Sequence, residues 1–321
     1  MASLICGSIA YDTIMTFEGR FQDQILPDQI HILNVAFLVP SMRREFGGCA
    51  GNIAYNLRLL GGEPFIMATV GADADPYLEH LKALNINTTF IRRLEQGFTA
   101  QAMITTDMAN NQITAFHPGA MNESHLNTVK HSVQKIANMK LAQPRYGIVA
   151  PDGRQGMLDH CAQLAEANIP FIFDPGQGLP MFNGEELLNQ IELASYVAVN
   201  DYEGEMLSQR TGLSLEKIAE RVEALILTRG AEGSWIFSKQ KRIEIPPVKA
   251  KQIIDPTGCG DAFRGGLLHG LEMGFDWETT GRLANLMGSI KIAHQGPQNH
   301  CFTKTEISEQ FKTAYGHSIA L

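Results

Sequence analysis

The sequence has few cysteines, no long apolar run and no excess of basic residues, and each absence excludes a class of protein. Its five cysteines are widely spaced and form no Cys-x-x-Cys pair, which argues against a disulfide framework and favours reduced thiols in a cytosol. No apolar stretch approaches the ~20 residues that span a bilayer, and no basic segment followed by a sustained apolar run opens the chain. We therefore expect a cytoplasmic protein that has no membrane partner.

The charge balance is acidic, with a formal net charge of −8. A surface of this sign argues against binding to nucleic acid, although local fields can still attract an anionic substrate. The ten histidines form no His-Glu-x-x-His zinc motif, and no Gly-x-x-x-x-Gly-Lys-Ser/Thr phosphate loop occurs. The chain of 321 residues is 44% apolar. This composition suits one large domain that buries on the order of 75% of its unfolded surface.

The most informative stretch is 255–266, Asp-Pro-Thr-Gly-Cys-Gly-Asp-Ala-Phe-Arg-Gly-Gly. It follows the apolar pair Ile253-Ile254, and apolar residues continue beyond it at helical spacing. We therefore predict the end of a strand, a glycine-rich turn and the start of a helix. The first turn of a helix presents N–H groups without internal partners, and the helix dipole adds about half a positive charge there. The stretch therefore predicts a phosphate site.

Asp261 is unexpected at such a site, because a carboxylate repels an anionic ligand. Its presence is explained if it accepts a proton from the group that attacks the phosphate. The alternative is structural: Gly258 and Gly260 form a tight turn, and Asp261 caps the helix. A dinucleotide-binding turn is a poorer match, because it requires glycine where Phe263 stands. The residues alone leave the catalytic and the structural interpretations open.

A second glycine-rich stretch, 47–52 (Gly-Gly-Cys-Ala-Gly-Asn), opens a predicted helix that ends at Gly61-Gly62. Three glycines in five residues exceed what a turn needs, although close packing of the helix on a sheet would also explain them. Residues 3–9 upstream are predicted to form a buried strand, which places Asp12 just beyond its carboxyl end. Ligands bind at that edge of open α/β sheets, whereas the alternative for Asp12 is a solvated loop residue.

Strands and helices alternate from residue 146 onward. We predict strands at Tyr146–Ala150, Pro170–Asp174, Tyr196–Asn200 and Ala224–Thr228, and helices over 155–167, 184–193 and 203–222. This alternation favours a parallel sheet covered by helices on both faces. Residues 13–46 and 97–117 are predicted to form short strands joined by turns, with a hairpin turn over Thr105–Gln112.

The two glycine-rich stretches, about 200 residues apart, resemble the two signatures of the ribokinase (PfkB) family of carbohydrate and nucleoside kinases. The resemblance spans essentially the whole chain. It implies an α/β, ribokinase-like fold: a doubly wound, mostly parallel sheet flanked by helices, in a single domain of residues 1–321. In this family a small β-sheet forms a lid, for which 13–46 and 97–117 are the candidate segments. Since a small apolar sheet needs a partner, we expect a homodimer through this lid.

The resemblance also implies roles for individual residues. In the family, the aspartate of the second signature is the catalytic base, here Asp261, and the glycine turn before it is the anion hole. The anion-hole residues would be Gly258, Cys259 and Gly260. The residues that would hold a ribose are Asp12, Gly47, Gly48 and Asn52. Phe116, at the end of the second lid segment, would stack on a nucleobase or simply pack within the lid.

Two further motifs resemble the nucleotide-binding elements of the family. Asn200-Asp201-Tyr202-Glu203 matches Asn-x-x-Glu, and it also matches a helix capping box. In the family the glutamate, here Glu203, organises the water shell of Mg²⁺. Residues 228–233, Thr-Arg-Gly-Ala-Glu-Gly, match a turn that lies along the nucleotide, or they form a plain hairpin turn. The implied ATP-binding residues are Asn200, Thr228, Arg229, Gly230 and Gly233.

Asp255 and Thr257 precede the anion hole, where members of the family often hold a monovalent cation. K⁺ is therefore a candidate cofactor beside ATP and Mg²⁺. Residues 295–298 would wall the adenine of ATP. Asp174, at the end of a predicted strand, would line the cleft or belong to a turn.

The reaction that the resemblance implies is phosphoryl transfer from MgATP to the 5′-hydroxyl of adenosine or a related nucleoside, as in purine salvage. The choice of substrate depends on the two glycine-rich stretches and Phe-His-Pro-Gly at 116–119, which look most like those of bacterial adenosine kinases. A free-sugar kinase of the same family and a non-catalytic nucleoside-binding regulator are the alternatives. Asp261 argues against the regulator, which gains nothing from a negative charge beside phosphate.

Overall fold

A computed structural model of the protein describes residues 2–109 and 111–320, so Asn110, in the predicted hairpin turn, lies outside the described residues. Within the described residues the strands are β1 (Ala2–Cys6), β2 (Ala10–Thr16), β3 (Ser41–Gly47), β4 (Glu63–Met67), β5 (Thr69–Val70), β6 (Arg92–Arg93), β7 (Ala100–Thr106), β8 (Gln112–His117), β9 (Pro144–Val149), β10 (Phe171–Phe173), β11 (Tyr196–Asn200), β12 (Ala224–Thr228), β13 (Ser234–Ser238) and β14 (Lys241–Ile245). The α-helices are α1 (Cys49–Leu59), α2 (Asp75–Ala83), α3 (Val129–Asn138), α4 (Arg154–Glu166), α5 (Gly184–Leu193), α6 (Asp201–Thr211), α7 (Leu215–Ala219), α8 (Cys259–Met273), α9 (Trp277–Lys291) and α10 (Lys304–Tyr315).

The central feature is an eight-stranded sheet, called the large sheet here, in which the described strands follow the order β14-β13-β12-β11-β10-β9-β1-β4. Neighbours from β4 to β12 pair in parallel, whereas β13 and β14 form an antiparallel edge. The prediction of a mostly parallel sheet is therefore confirmed. In the part of the chain that the structure describes, no helix combines the length and the apolar character needed to cross a membrane.

Helices cover both faces of the large sheet, because successive side chains of a strand point to opposite sides. Ile5 of β1 belongs to an apolar cluster that α1, α2, α8 and α9 cover. Its neighbours Leu4 and Cys6 belong to a second cluster under α3 to α7. This double cover explains the continuous apolar runs of the parallel strands. It also places α1 and α8, the two helices that begin with glycine-rich turns, in contact on one face.

A four-stranded sheet, called the small sheet here, contains the described strands in the order β3-β2-β7-β8. Its strands come from both segments predicted as a lid, but the described residues 17–40 contain no strand. They include two short 3₁₀ segments, Phe21–Asp23 and Pro27–Ile32. The rings of Phe17, Phe21 and Phe37 pack against one another. The three phenylalanines of this segment thus form a local aromatic cluster rather than part of a strand, whereas Leu26, Ile30 and Leu38 are exposed.

Three predicted boundaries are wrong. β1 ends at Cys6 rather than at residue 9, because the chain leaves the large sheet there and enters the small sheet as β2. The helix predicted over 203–222 is two helices, and Gly212 separates them in a left-handed conformation (φ 71°). Ile253 and Ile254 lie in an exposed loop, where the amides of Ile254 and Asp255 donate to the carbonyl of Ile292, just after α9, and not to a strand.

Gly48 lies where the two sheets meet. It is the N-cap of α1, has a φ of +85°, and lies against the backbone of Ser8, Ile9 and Ala10. A Cβ at this position would approach the amide nitrogen of Ala10 to 2.6 Å. Only glycine combines this backbone conformation with so close an approach.

We expect Gly48→Ala to lower the free energy of unfolding by about 3 kcal/mol or more, the sum of the backbone strain of a positive φ and of overpacking. Gly212→Ala is the matched control, because Gly212 also has a positive φ (71°) but no atom within 4 Å of its Cβ position. The control should cost about 1 kcal/mol. Urea denaturation of both variants checks the expectation, and equal losses would contradict it.

Candidate active site

The predicted anion hole lies at the N-terminus of α8. Gly258 is the N-cap and has a left-handed conformation (φ 80°). Cys259, Gly260 and Asp261 form the first turn, whose N–H groups have no intrahelical acceptors. The amide of Cys259 donates to the carbonyl of Pro256 at 3.1 Å, whereas a Cβ on Gly260 would meet no atom closer than 3.8 Å. The turn is therefore open on the side where an anion would approach.

Asp261 is the third residue of α8 and accepts a hydrogen bond from the side-chain amide of Asn52 at 2.8 Å. Burial raises the pKa of Asp261 to about 6; the Asn52 amide and Arg264 oppose this rise, and the Asp174 carboxylate adds to it. A half-buried carboxylate with this pKa is ionised at neutral pH but basic enough to accept a proton from an alcohol. The geometry therefore suits a general base.

The orientation of Asn52 is fixed by a hydrogen-bonded network that the motif alone does not reveal. Its Oδ1 accepts from Nε2 of Gln298 at 2.9 Å, and this Nε2 also contacts the hydroxyl of Tyr77 at 2.7 Å. The Tyr77 hydroxyl donates in turn to the carbonyl of Gly47 at 2.7 Å. Because Oδ1 is occupied, Nδ2 of Asn52 is the group that faces Asp261. Gln298, predicted to wall the adenine of ATP, is buried inside this network instead.

Asp12 lies in β2 of the small sheet, not in a loop beyond β1. It pairs with Glu45 of β3 and Ala102 of β7, and a Cβ on Gly47 would clash with its carboxylate. Burial raises the pKa of Asp12 to about 6, and the carboxylates of Asp261 and Glu45 add to the rise. Neighbouring carboxylates disfavour the charged form of Asp12, and a ligand that donates hydrogen bonds would stabilise that form. The hydroxyl groups of a sugar are such a ligand.

Phe116 shares a face of the small sheet with Asp12. The register places Glu45, Asp12, Ala102 and Phe116 in one row across β3, β2, β7 and β8. Two strand spacings, about 10 Å, separate the backbones of Asp12 and Phe116. Phe116 is 53% exposed, so much of its surface is free to contact a ligand. Its role in base stacking stays a prediction.

A buried ion pair that the motifs do not predict lies below the anion hole. Arg264 of α8 donates to both carboxylate oxygens of Asp174, at 3.0 and 3.1 Å, and both residues are buried. One Nη atom of Arg264 lies 3.8 Å from the Cβ position of Gly260. The signal in the sequence is an arginine three residues after Asp261 at the start of a helix that is mostly apolar. The carboxylate balances the guanidinium charge, so the pair fixes the position of Arg264 behind the first turn of α8 without adding net charge there.

Asn200 and Glu203 form a complete capping box at the start of α6. The Asn200 side chain accepts from the amide of Glu203, and the Glu203 carboxylate accepts from the amide of Asn200, both at 2.8 Å. Burial raises the pKa of Glu203, and the Asp174 carboxylate adds to the rise. Among residues 2–109 and 111–320, no three His, Cys, Asp or Glu side chains are grouped to hold a metal directly. The carboxylate of Glu203 fits a water molecule of an Mg²⁺ shell, whereas both oxygens of Asp174 are engaged by Arg264.

The turn over 228–233 connects β12 and β13 as an antiparallel hairpin. The guanidinium of Arg229 lies 3.9 Å from the ring centre of Trp235 and forms an ion pair with Glu232. Gly230 and Gly233 both have a positive φ. The arginine charge is thus held at the turn against an indole ring, and the predicted contacts of this turn with a nucleotide stay predictions.

Asp255 holds two loops together beside the anion hole. Its carboxylate accepts from the amides of Thr257 and Gly296, each at 2.9 Å, and its carbonyl accepts from the ammonium of Lys291 at 2.7 Å. Burial alone would raise the pKa of Asp255, but the two amides and Lys291 outweigh it and lower the pKa. The motifs do not single out Lys291; its only signal is a lysine directly after the inward-facing Ile290 of α9.

The raised pKa of Asp261 has a consequence for stability. Its folded-state pKa of about 6 exceeds the ~3.9 of an unfolded aspartate. The ionised form therefore destabilises the fold above about pH 6, and this cost fades as the pH falls toward about 4. We expect Asp261→Asn to raise the free energy of unfolding by about 1–3 kcal/mol at about pH 8, and by less at about pH 5.

Urea denaturation at both pH values checks this expectation, with the exposed residue Asp28 changed to Asn as the control. The control should alter stability little and without a change of sign between the two pH values. An Asp261→Asn variant that is less stable than the wild type at the higher pH would contradict the prediction.

Comparison with known proteins agrees with the two signatures. The profile of the pfkB family carbohydrate kinases matches residues 11–305. The nucleoside kinase of Methanocaldococcus jannaschii is 34% identical over 287 residues, which cover 87% of this chain and 89% of that protein.

Solved structures agree as well. The Burkholderia thailandensis nucleoside kinase in complex with inosine has a TM-score of 0.86 and 56% identity, over 98% of this chain and 99% of that chain. The same kinase in complex with ADP-inosine has a TM-score of 0.84 and 58% identity, over 98% and 97%. The ribokinase-like fold and a phosphotransferase activity on a hydroxyl group, both predicted, are thereby confirmed. With most of its length matched by the profile, the chain belongs to the pfkB family of carbohydrate kinases.

Proposed function

We propose that the protein is an ATP-dependent nucleoside kinase that phosphorylates the 5′-hydroxyl of a purine nucleoside, adenosine or a related one. The observation that carries this proposal is the 2.8 Å hydrogen bond from Asn52 to Asp261. It joins the two glycine-rich signatures at one point. A group suited to a sugar hydroxyl therefore lies beside a carboxylate suited to removing the proton of one.

The relatives support a nucleoside more than a free sugar. The Burkholderia thailandensis kinase was solved with inosine and with ADP-inosine. Inosine differs from adenosine only in the substituent on carbon 6 of the purine, so these complexes favour a purine nucleoside without selecting adenosine. Phe116, exposed on the same face as Asp12, would stack on the purine.

The proposed chemistry assigns separate tasks to the acidic residues. Asp12 accepts hydrogen bonds from the ribose hydroxyls, and Asn52 with the backbone of Gly47 and Gly48 holds the sugar against it. Asp261 accepts the proton of the 5′-hydroxyl while that oxygen attacks the terminal phosphorus of ATP. The bond between this phosphorus and the bridging oxygen breaks, and ADP leaves.

The first turn of α8 would stabilise the charge of the transferred phosphoryl group. The amides of Gly258, Cys259 and Gly260 supply donors, and the Cys259 amide would exchange its bond to Pro256 for one to the phosphoryl group. The dipole of α8 adds positive potential at these amides, and the Arg264 guanidinium, paired with Asp174, lies behind Gly260. When bound, Mg²⁺ neutralises charge on the phosphates of ATP, and Glu203 would hold its water shell.

ATP would lie along the carboxyl ends of β11 and β12, which are neighbours in the large sheet. Both strands end at residues of the two predicted nucleotide motifs, so these motifs meet at one edge. The proposed contacts are Asn200, Thr228, Arg229, Gly230 and Gly233. The charge of Arg229 would face the phosphates from its place on Trp235.

An assay of ADP release over a panel of nucleosides and free sugars tests this function. We expect turnover with purine nucleosides and at least about tenfold lower kcat/KM with ribose or fructose. Asp261→Asn should lose at least about 10²-fold in turnover while nucleoside affinity stays within a few-fold, because the carboxylate acts on the proton. Glu309→Gln removes an exposed carboxylate on α10, outside the motifs and the lid segments, and should keep the wild-type turnover.

Each other outcome has its own meaning. Turnover confined to free sugars would replace the nucleoside by a sugar as substrate. Tight nucleoside binding without any turnover would favour the regulator. Near-normal turnover of Asp261→Asn would refute its assignment as the base.

We further propose that residues 1–321 form a single cytoplasmic domain whose small sheet is a lid that joins two copies of the chain. The register puts Met42, Met103 and Ile113 on the face of the small sheet opposite Asp12, and all three are exposed. An exposed apolar face of this kind marks an interaction surface. The opposite face stays free for the substrate.

Size-exclusion chromatography with light scattering checks the homodimer. We expect the wild type at twice the chain mass of 35.3 kDa, and Met103→Lys at the mass of one chain, because the lysine would bury an unpaired charge in the interface. Met139→Lys, at another exposed methionine outside the small sheet, is the control and should leave the dimer intact. A monomeric wild type would contradict the proposal.

A further inference from the structure

Lys291, the last residue of α9, is completely buried. Its ammonium group donates to the carbonyl of Asp255 at 2.7 Å and to the carbonyl of His294 at 3.1 Å. Lysine is rarely buried in this way unless its charge has partners. Here the partners are two backbone carbonyls and the negative end of the α9 dipole.

The two carbonyls belong to the two loops that carry the site. Asp255 begins the turn that leads through Thr257 to Gly258 and the first turn of α8. His294 begins the segment that reaches Gln298, which orients Asn52. The amide of Gly296 adds a third link between the loops, because it donates to the Asp255 carboxylate at 2.9 Å. The Lys291 ammonium therefore links the two loops and fixes their positions relative to each other.

The surroundings of the Lys291 ammonium resemble the binding site of a monovalent cation. Backbone carbonyls from two loops converge on one positive centre, and a carboxylate lies on the same residue as one of the carbonyls. An ammonium group has the charge of K⁺ and a similar size, and it donates hydrogen bonds where K⁺ would coordinate oxygen. Burial lowers the pKa of Lys291, and the Asp255 carboxylate counteracts this and favours the charged form.

The residues expected to hold K⁺ do not fit a free cation. The Asp255 carbonyl already accepts from Lys291, and the Asp255 carboxylate already accepts from the amides of Thr257 and Gly296. A second cation on the Asp255 carbonyl would lie next to the ammonium and be repelled by it. The carbonyls expected to bind a cation are thus present, but they bind the Lys291 ammonium and not K⁺.

We propose that the Lys291 ammonium permanently takes the place of the monovalent cation expected at Asp255 and Thr257, so that the enzyme needs no K⁺. Lys291 is then a positioning residue: it holds the turn before Gly258 and, through His294, the segment that carries Gln298. The activity arm of the test rests on the proposed kinase function. The melting and crystallographic measurements do not rest on it. A failure of the cation proposal can therefore be distinguished from a failure of the proposed kinase function.

The wild type gives the first test, because it requires no variant to fold. Turnover in KCl and in choline chloride, at an equal ionic strength of about 0.1 M, should agree within about twofold. The melting temperature should be the same in both salts, since an ion that does not bind the folded state cannot stabilise it. K⁺-dependent turnover or a K⁺-dependent rise in melting temperature would overturn the proposal.

Variants of Lys291 give the second test. Lys291→Ala empties the space of the ammonium group, so we expect at least about tenfold lower turnover in choline chloride, and a recovery of both turnover and melting temperature in KCl. Lys291→Met fills the space with an uncharged chain of similar length, so it should lose turnover without recovery. Lys135→Ala is the matched control, because the Lys135 ammonium also binds a carbonyl, that of Thr89, away from the site. It should respond to neither salt.

Crystals soaked in Rb⁺, a heavier analogue of K⁺, locate the cation directly by its anomalous signal. We expect no Rb⁺ beside the Asp255 carbonyl in the wild type and a bound Rb⁺ there in Lys291→Ala. Rb⁺ at that carbonyl in the wild type would overturn the proposal. So would a Lys291→Ala variant that keeps wild-type turnover in choline chloride. If this variant fails to fold in either salt, the three wild-type measurements decide.

Discussion

The hydrogen bond from Asn52 to Asp261 joins residues that are 209 positions apart, and the rest of the site is arranged around it. Each partner begins a helix on the same face of the large sheet, so the contact requires α1 and α8 to pack side by side. Burial alone would push the pKa of Asp261 higher than about 6, and the amide of Asn52 holds it down. The amide can do so because Gln298 and Tyr77 fix its orientation from behind. Packing of the core thus sets the proton affinity of one carboxylate.

The second constraint is the shortage of fixed positive charge. The Asp261 carboxylate raises the pKa of Asp12, and the Asp174 carboxylate raises the pKa of both Asp261 and Glu203. The two buried cations of the site, Arg264 and Lys291, are already engaged with a carboxylate or with carbonyls. A bare triphosphate would meet a repulsive field here, whereas one that carries Mg²⁺ brings its own neutralising charge. Because free cationic side chains are scarce, the N-terminus of α8 is important for binding phosphate. Its backbone dipoles supply positive potential without a charged side chain.

Local patterns predicted the parts of this site that depend on local chemistry. The glycine-rich turns, the helices that follow them, the capping box of Asn200 and Glu203 and most of the parallel strands are visible in the sequence, because caps, turns and periodicity act over a few residues. Gln298, Tyr77 and Lys291 each act through at least one partner on a distant element, so no spacing rule singles them out. The strand predicted at Ile253-Ile254 is wrong for the same reason: the amide of Ile254 donates to the carbonyl of Ile292, just after α9, and local spacing does not reveal so distant a partner.

The structure restricts residues in the signatures more than residues that would contact the nucleobase. This difference explains why the sequence identifies the family more readily than the substrate. Gly48 and Gly258 have conformations that other residues rarely adopt, and Gly47 leaves the space that the Asp12 carboxylate occupies. Replacing any of these glycines would move the backbone on which the chemistry depends. The signatures therefore indicate the type of reaction. The nucleobase, by contrast, would meet the exposed side of the small sheet, where Phe116 has few neighbours that fix its identity. Side chains on such a face can change without disturbing the fold. Selectivity for one purine over another is therefore the property that the signatures constrain least.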